Sequence, residues 1–353
     1  DLAIAAWYGP FSNGNKLFRN NGDGTFTDVT LAALGPGVQD RRSFTPRFTD
    51  MNGDRYPELL WVSDFYTSGY YVNNGDGTFT DVTTERGVRD GGWGWGSAMF
   101  DFDNDGDLDL GMTNGVDIPQ TDIDARFLVD AMCLWENTGG SGMPERGGDV
   151  GFNDRRMGKA LAVFDFDNDG DLDAFVANNN ADPQLLRNQL ESGQHFLRIR
   201  LRGAFDPTEP TRPGTNSFGV GARVYVQAQR NGPVQMREIG ADGGYESQPE
   251  LVAHFGVGPV SRVHEVRVRW PASGVETVYR DVAADQTLTL HELLCPGDID
   301  ADRFVGLSDL GQLLAMFGAT SADGPMAGDF DGDGLIGLHD LAMLLANFNV
   351  TCD

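Results

Sequence analysis

The chain of 353 residues carries 26 lysines and arginines against 53 aspartates and glutamates, a formal charge of −27. A surface of that sign repels phosphate backbones, which excludes nucleic acid as a natural partner. At 40% hydrophobic residues the chain can fill sizeable cores, and no apolar run approaches the roughly 18 residues that a membrane span needs.

The first 190 residues are built from repeats. Asp1-Leu-Ala-Ile-Ala matches Asp109-Leu-Gly-Met-Thr and Asp173-Ala-Phe-Val-Ala. The chain is therefore expected to open at the last position of an acidic loop whose front is missing, so a leader peptide would not be visible. From Asn20 to Thr30 the sequence reads NNGDGTFTDVT, and Asn73 to Thr83 is identical. Asn-Gly-Asp-Gly is a hairpin signal.

Three complete acidic loops follow. Asp50-Met-Asn52-Gly-Asp54-Arg-Tyr-Pro-Glu58 is the first; DFDNDGDLD runs from Asp101 to Asp109 and again, unchanged, from Asp165 to Asp173. In the identical pair, Asp101, Asp103 and Asp105, like Asp165, Asp167 and Asp169, hold alternate positions from which oxygens converge. Gly106 and Gly170 permit the sharp turn, Asp107 and Asp171 offer backbone carbonyls, and Asp109 and Asp173 close the ring. At about 5 Å and an effective dielectric of about 20, each like-charge pair repels by on the order of 3 kcal/mol. Asp, Asn and Gly also favour turns without metal, but the recurrence points to a bound cation. An all-oxygen, carboxylate-rich shell on a flexible loop suits Ca²⁺ better than Mg²⁺. In the first loop Arg55 replaces the turn glycine and Glu58 the closing Asp, so this site is expected to be the weakest. The closing positions, Asp1, Glu58, Asp109 and Asp173, lie 57, 51 and 64 residues apart, the range of a propeller blade. A Gly-rich insertion, Gly139 to Gly151, replaces the hairpin turn in the third unit. Trp93 and Trp95, set between glycines, would stack on sugars if exposed and pack in the blade if not.

These motifs and their spacing resemble the FG-GAP/VCBS repeats of integrin-type propellers and of many secreted bacterial proteins. The resemblance covers residues 1–190 and implies four-stranded blades with calcium loops at their edges. A closed propeller needs more blades than these residues supply.

Residues 191–294 alternate with period two. Leu197, Ile199 and Leu201 share one face with arginines opposite, and Val266 to Trp270, Val224 to Val226, Val275 to Tyr279 and Thr287 to Leu290 add strands, which predicts an all-β sandwich. Gly219-Val-Gly-Ala-Arg223, Gly243-Gly-Tyr245-Glu-Ser247, His254-Phe-Gly-Val-Gly258 and Val268-Arg-Trp270-Pro271 together resemble the ASPIC/UnbV domain, which commonly follows FG-GAP repeats in cartilage acidic protein-like proteins. The resemblance implies an extracellular calcium-binding architecture without established catalytic residues. There is no GxSxG, HExxH or phosphate-binding loop, and His195, His254, His264 and His291 are scattered.

Residues 295–353 contain a second kind of acidic loop. Asp298-Ile-Asp300-Ala-Asp302 closes at Asp309, and Asp329-Phe-Asp331-Gly-Asp333 closes at Asp340, 31 residues on. The last acid is at position 12, the EF-hand length, with Asp where an EF-hand prefers Glu. Leu310, Leu313, Leu314 and Phe317 match Leu341, Leu344, Leu345 and Phe348, a one-faced helical stripe. The duplication looks like a type I dockerin. That likeness implies a cohesin-type partner, recognised at Leu307, Ser308, Leu338 and His339. Arg303 stands where glycine is usual. Cys295 and Cys352 bracket the segment; a disulfide between them suits an oxidising compartment, and two unpaired thiols are the alternative. Cys133 stands alone, and no CxxC pair supports zinc.

The sequence thus reads as a mainly β, secreted or cell-surface calcium-binding protein. Its blades and sandwich would present a binding surface to a glycan or surface protein, and its C-terminal module would dock to a cohesin. The alternative is a polysaccharide-active enzyme, or a component of one, with its catalytic part in the blades or upstream.

Overall fold

The computed structural model describes residues 1–7, 14–116, 124–189, 193–205, 208, 214–240, 243–300, 302–320, 328–330 and 334–351. The chain divides into two compact units. The first comprises Asp1–Asp103, Asp107–Leu190 and Asp242–Glu250, and the second Asn104–Gly106, Glu191–Ala241 and Leu251–Asp353.

In the first unit four antiparallel sheets follow one another in chain order. They are β1 (Leu2–Ile4), β2 (Lys16–Asn20) and β3 (Phe26–Asp28); β4 (Ser43–Thr49), β5 (Glu58–Ser63), β6 (Gly69–Asn73) and β7 (Phe79–Asp81); β8 (Gly94–Phe100), β9 (Asp109–Asn114) and β10 (Cys133–Trp135); and β11 (Gly158–Phe164), β12 (Asp173–Asn178) and β13 (Gln184–Leu186). Among the described residues only the second sheet has the four strands expected of every blade. The leading strands lie side by side, β4 against β8 and β8 against β11. Apolar layers fill the spaces between successive sheets: Leu59, Trp61 and Tyr71 with Leu17 and Val38; Leu60, Val62 and Met112; then Phe100, Leu134, Leu161 and Val176. Strands β5 and β9 are buried along their whole length, because each is covered on both faces by a neighbouring blade. The four sheets form a run of blades and not a closed ring.

The run is regular because each hairpin has the same chemistry. The acidic loops join β4 to β5, β8 to β9 and β11 to β12, and the closing acid is the first residue of the second strand, opposite Thr49, Phe100 and Phe164 respectively. The Gly139–Gly151 insertion is packed: Met143 is buried, and its N–H donates to the Arg86 carbonyl at 2.8 Å.

In the second unit β14 (His195–Arg202) pairs with β17 (Val252–Gly258) and, in parallel, with β20 (Gln286–His291), while β15 (Arg223–Gln227) lies between β16 (Gln235–Glu238) and β18 (Arg262–Arg269), with β19 (Glu276–Ala283) at the edge. Leu197, Ile199 and Leu201 meet Val224, Val266, Val268 and Trp270 in one core, the two-sheet packing expected from the alternation. Arg198, expected on the solvent face, is 98% buried, 2% exposed, and donates to Thr287 Oγ1 at 3.4 Å.

The duplicated acidic segment forms two nine-residue helices, Leu307–Ala315 and Leu338–Ala346. Its halves interlock. Val305 exchanges backbone bonds with Asn349 and Val350, and Ile336 does the same with Gly318 and Ala319. Val305, Leu313, Ile336 and Leu344 are its buried core. The one-faced stripe is only half right: Leu314, Phe317 and Leu345 stay exposed, because two short helices crossing over four buried side chains cover only one residue in each turn.

Candidate metal centres

The nine-residue loops are wired alike. The N–H of the second residue donates to the closing carboxylate in each: Met51 to Glu58 Oε2 at 2.7 Å, Phe102 to Asp109 Oδ2 at 3.0 Å and Phe166 to Asp173 Oδ2 at 3.0 Å. The other oxygen of the closing acid accepts from an asparagine at the end of the third strand, Asn137 to Asp109 Oδ1 at 2.8 Å and Asn188 to Asp173 Oδ1 at 2.7 Å. Asn20 donates in the same way to Asp1 at 2.9 Å, so Asp1 has the bonding of a closing position. The side chains of these asparagines reach the preceding blade: Asn137 Nδ2 donates to the Met51 carbonyl at 3.3 Å and Asn188 Nδ2 to the Phe102 carbonyl at 2.6 Å. The sequence reading placed Asn20 and Asn73 in a turn motif and gave Asn137 and Asn188 no role. Their recurrence at 20, 73, 137 and 188 was the available signal.

Carboxylate oxygens of Asp101, Asp103 and Asp109 lie within 4.8 Å of one another, as do those of Asp165, Asp167 and Asp173, and those of Asp298, Asp300, Asp302 and Asp309. Asp101, Asp109, Asp165, Asp173 and Asp309 are buried. Burial pushes the Asp109 carboxyl up to about 9 against the donations from Asn137 and Phe102, with Asp101 and Asp103 adding to the rise. Asp173 moves up for the same reason. The donor set fits a hard divalent cation: it is all oxygen, anionic, convergent and held by backbone bonds that leave lone pairs for an ion. Asp105, exposed, and Asp107, half-buried, fall outside the first trio, and Asp169 and Asp171 outside the second.

In the Asp50 loop the acids do not form such a cluster among the described residues. The Asn52 amide nitrogen donates to Asp54 Oδ2 and Glu58 Oε1, each at 3.1 Å. Burial, with Asp54 and Asp50 nearby, pushes the Glu58 carboxyl up to about 7.

The first six residues of the two loop kinds share a bond. The sixth N–H donates to the first Asp from Arg55, Gly170, Arg303 and Gly334, at 3.0 to 3.1 Å. Ile299 and Phe330 donate to Asp309 and Asp340 at 2.7 and 2.6 Å, repeating the second-residue bond. Asp309 and Asp340 also accept from Gly306 and Gly337, which caps each helix. Asp329 and Asp340 are buried; Asp331 and Asp333 lie outside the described residues. Leu307, Ser308, Leu338 and His339 are exposed, Leu307 at 79% and Leu338 at 76%. Cys295 is disulfide-bonded and Cys133 is a free thiol, while Cys352 lies outside the described residues. Among the described residues no helix is long and apolar enough to cross a membrane.

The chain carries FG-GAP-like repeats and an ASPIC and UnbV domain: residues 1–61 and 50–112 match the first family model and residues 212–293 the second. Cartilage acidic protein 1 is a relative in three animals. The Mus musculus protein is 30% identical over 158 residues, 44% of this chain and 22% of its own length. The Homo sapiens protein is 27% identical over 300 residues and the Xenopus tropicalis protein 26% over 298; both matches take in 81% of this chain. The chain spans 41% and 42% of the length of those two relatives.

Proposed function

We propose that this chain is an extracellular, non-catalytic binding protein whose blades and C-terminal module are held rigid by Ca²⁺. The convergence of three carboxylates within 4.8 Å at the same hairpin of two successive blades, and of four in the C-terminal module, carries the reading, since such groups repel unless a cation lies among them. Asp101, Asp103 and Asp109 would hold one ion, Asp165, Asp167 and Asp173 a second, and Asp298, Asp300, Asp302 and Asp309 a third, with Asp329 and Asp340 contributing to a fourth. When bound, Ca²⁺ supplies no reaction; it cancels the repulsion between acids that already anchor the backbone. Relatives named for an acidic protein of cartilage support an extracellular setting. The exposed, duplicated Leu307 and Leu338, with Ser308 and His339 beside them, form the face by which the last module docks to a cohesin-type module. Calorimetric titration of chelator-treated protein with CaCl₂ tests the calcium reading. Immobilised cohesin, challenged with the chain and with Leu307→Ala/Leu338→Ala, tests the docking face; retention unaffected by the double substitution counts against it.

A further inference from the structure

The third strand of each blade has an outer edge, and in the first three blades that edge is taken. Phe18, Arg19 and Asn20 of β2 face Asp28, Thr27 and Phe26 of β3, and Tyr71, Val72 and Asn73 of β6 face Asp81, Thr80 and Phe79 of β7, in the same register. In the third blade Trp135 bridges to Glu145, and the N–H groups of Glu136 and Arg146 donate to the Pro144 and Leu134 carbonyls at 3.0 and 2.7 Å. The fourth blade differs: β13 pairs with β12, and among the described residues no strand pairs with its other side. Such an edge offers a row of backbone donors and acceptors to another chain. Leu185, Arg187 and Gln189 are all exposed along it, Leu185 at 47%. The Arg187 guanidinium lies back on Asp167 and Asp169, at 2.7 and 3.1 Å.

Beside this edge is a cavity of about 450 Å³, walled by Leu134, Val150 and Phe152 of the third blade and Ala174, Leu186 and Asn188 of the fourth. Pockets that hold ligands span about 300–1,000 Å³. The register says what fits. Ala174 faces Leu186 as Leu59 faces Tyr71, so Asn188 corresponds to Asn73, whose partner is Phe79. Phe79 packs on the cluster that holds Leu17, Leu59 and Tyr71, the counterparts of Leu134, Ala174 and Leu186 on the cavity wall. Phe26 has the same place in the first blade, which no described blade precedes, and it is 50% exposed. The preceding blade is what buries a ring at this position, and the fourth blade has one.

We propose that β13 receives an extended segment of a partner protein, which pairs antiparallel with residues 185–189 and sets a phenylalanine-sized side chain, opposite Asn188, into the cavity. Backbone bonds along the edge supply affinity and the cavity supplies specificity. A partner is favoured over this chain or a second copy because both Phe-Thr-Asp strands, β3 and β7, are already paired within their own sheets. The inference goes beyond the calcium reading and does not depend on it.

The test uses the full chain in calcium-containing buffer and a dye-labelled peptide, Thr-Phe-Thr-Asp-Val-Thr, the sequence of residues 78–83, followed by fluorescence anisotropy. Saturation is expected with a Kd below about 1 mM, and replacing the peptide's phenylalanine by alanine should weaken it at least tenfold. In the protein, Leu185→Pro removes an edge N–H and Val150→Glu charges the cavity wall at a position 45% exposed; each should weaken binding at least tenfold with the melting temperature held. Val150→Glu serves alone if the proline variant fails to fold. Leu31→Glu, 56% exposed in the first blade, should change nothing. No binding by folded protein, equal binding of the alanine peptide, or equal loss with Leu31→Glu overturns the site. A concentration-dependent dimer in sedimentation that Val150→Glu abolishes assigns the edge to a second copy and overturns the partner. Calcium uptake without peptide binding would sink this proposal alone; peptide binding by a chain that takes up no calcium would sink the calcium reading alone.

Discussion

At the residue scale the informative positions are those that break the loop pattern. Arg55 and Arg303 have φ of 73° and 71°, where Gly106, Gly170 and Gly334 have 102°, 97° and 80°. A side chain there is strained by about 1 kcal/mol that glycine does not feel. Arg55→Gly and Arg303→Gly are therefore expected to stabilise the protein by about 0.5–1 kcal/mol each in urea unfolding, and Arg303→Gly to raise calcium affinity at its loop. Both departures were legible in the sequence, since the loops align without gaps. Asp64 was not: its neighbours come from residues 7, 42, 95 and 159, which no spacing rule connects. Burial pushes its carboxyl up to about 7 from an ordinary 3.8, with Trp7, Lys159 and Arg42 only partly offsetting this. Between those values the folded chain keeps a proton that the unfolded chain has lost, so this group's contribution to stability falls as pH rises. Asp64→Asn should thus be more stable than the wild type at pH 8, by on the order of 3 kcal/mol, with the difference vanishing near pH 4. Melting curves of the pair across that range check it.

At the element scale the repeated unit is a hairpin stapled by its own closing acid. Periodicity located strand, loop and strand for β5 and β12 because buried runs and acidic positions alternate visibly. It missed the asparagine that ties each loop to the next blade, because its partners are backbone groups, which carry no sequence letter. Asn137→Ala removes the Nδ2 bond to the buried Met51 carbonyl and should cost about 1–2 kcal/mol, leaving the backbone bond to Asp109 intact. In the C-terminal module Asp309 accepts from Ile299, Asp300 and Gly306. Burial works against ionisation there, but these donations outweigh it and hold its carboxyl below the usual range. Asp309→Ala is expected to lose the cap and the loop together, visible as lower helicity at 222 nm in saturating calcium. The helical stripe was over-read because the spacing that buries Leu313 and Leu344 also recurs at Leu314 and Leu345, and only packing against a partner distinguishes them.

At the scale of the whole molecule, a charge of −27 is not spread evenly. In the first unit the acids crowd the hairpins that begin β5, β9 and β12, while the loops at the opposite end mix Asp64 with Arg42 and Lys159. The first end is the one proposed above to take up cations; the other mixes both signs. The sequence revealed the first end because its acids are contiguous, and hid the second because its residues meet only after the blades assemble. The apolar layers between sheets hold the blades together; on the calcium reading proposed above, the loops that fix each strand entry depend on the ion.

Calcium uptake by the chelator-treated full chain, followed by calorimetry and by the melting temperature, bears most directly on this. At least three ions should bind per chain, one for each converging cluster, and the melting temperature should rise by about 10 °C or more. A chain that takes up no calcium at millimolar concentration, and melts at the same temperature with and without it, would contradict the account.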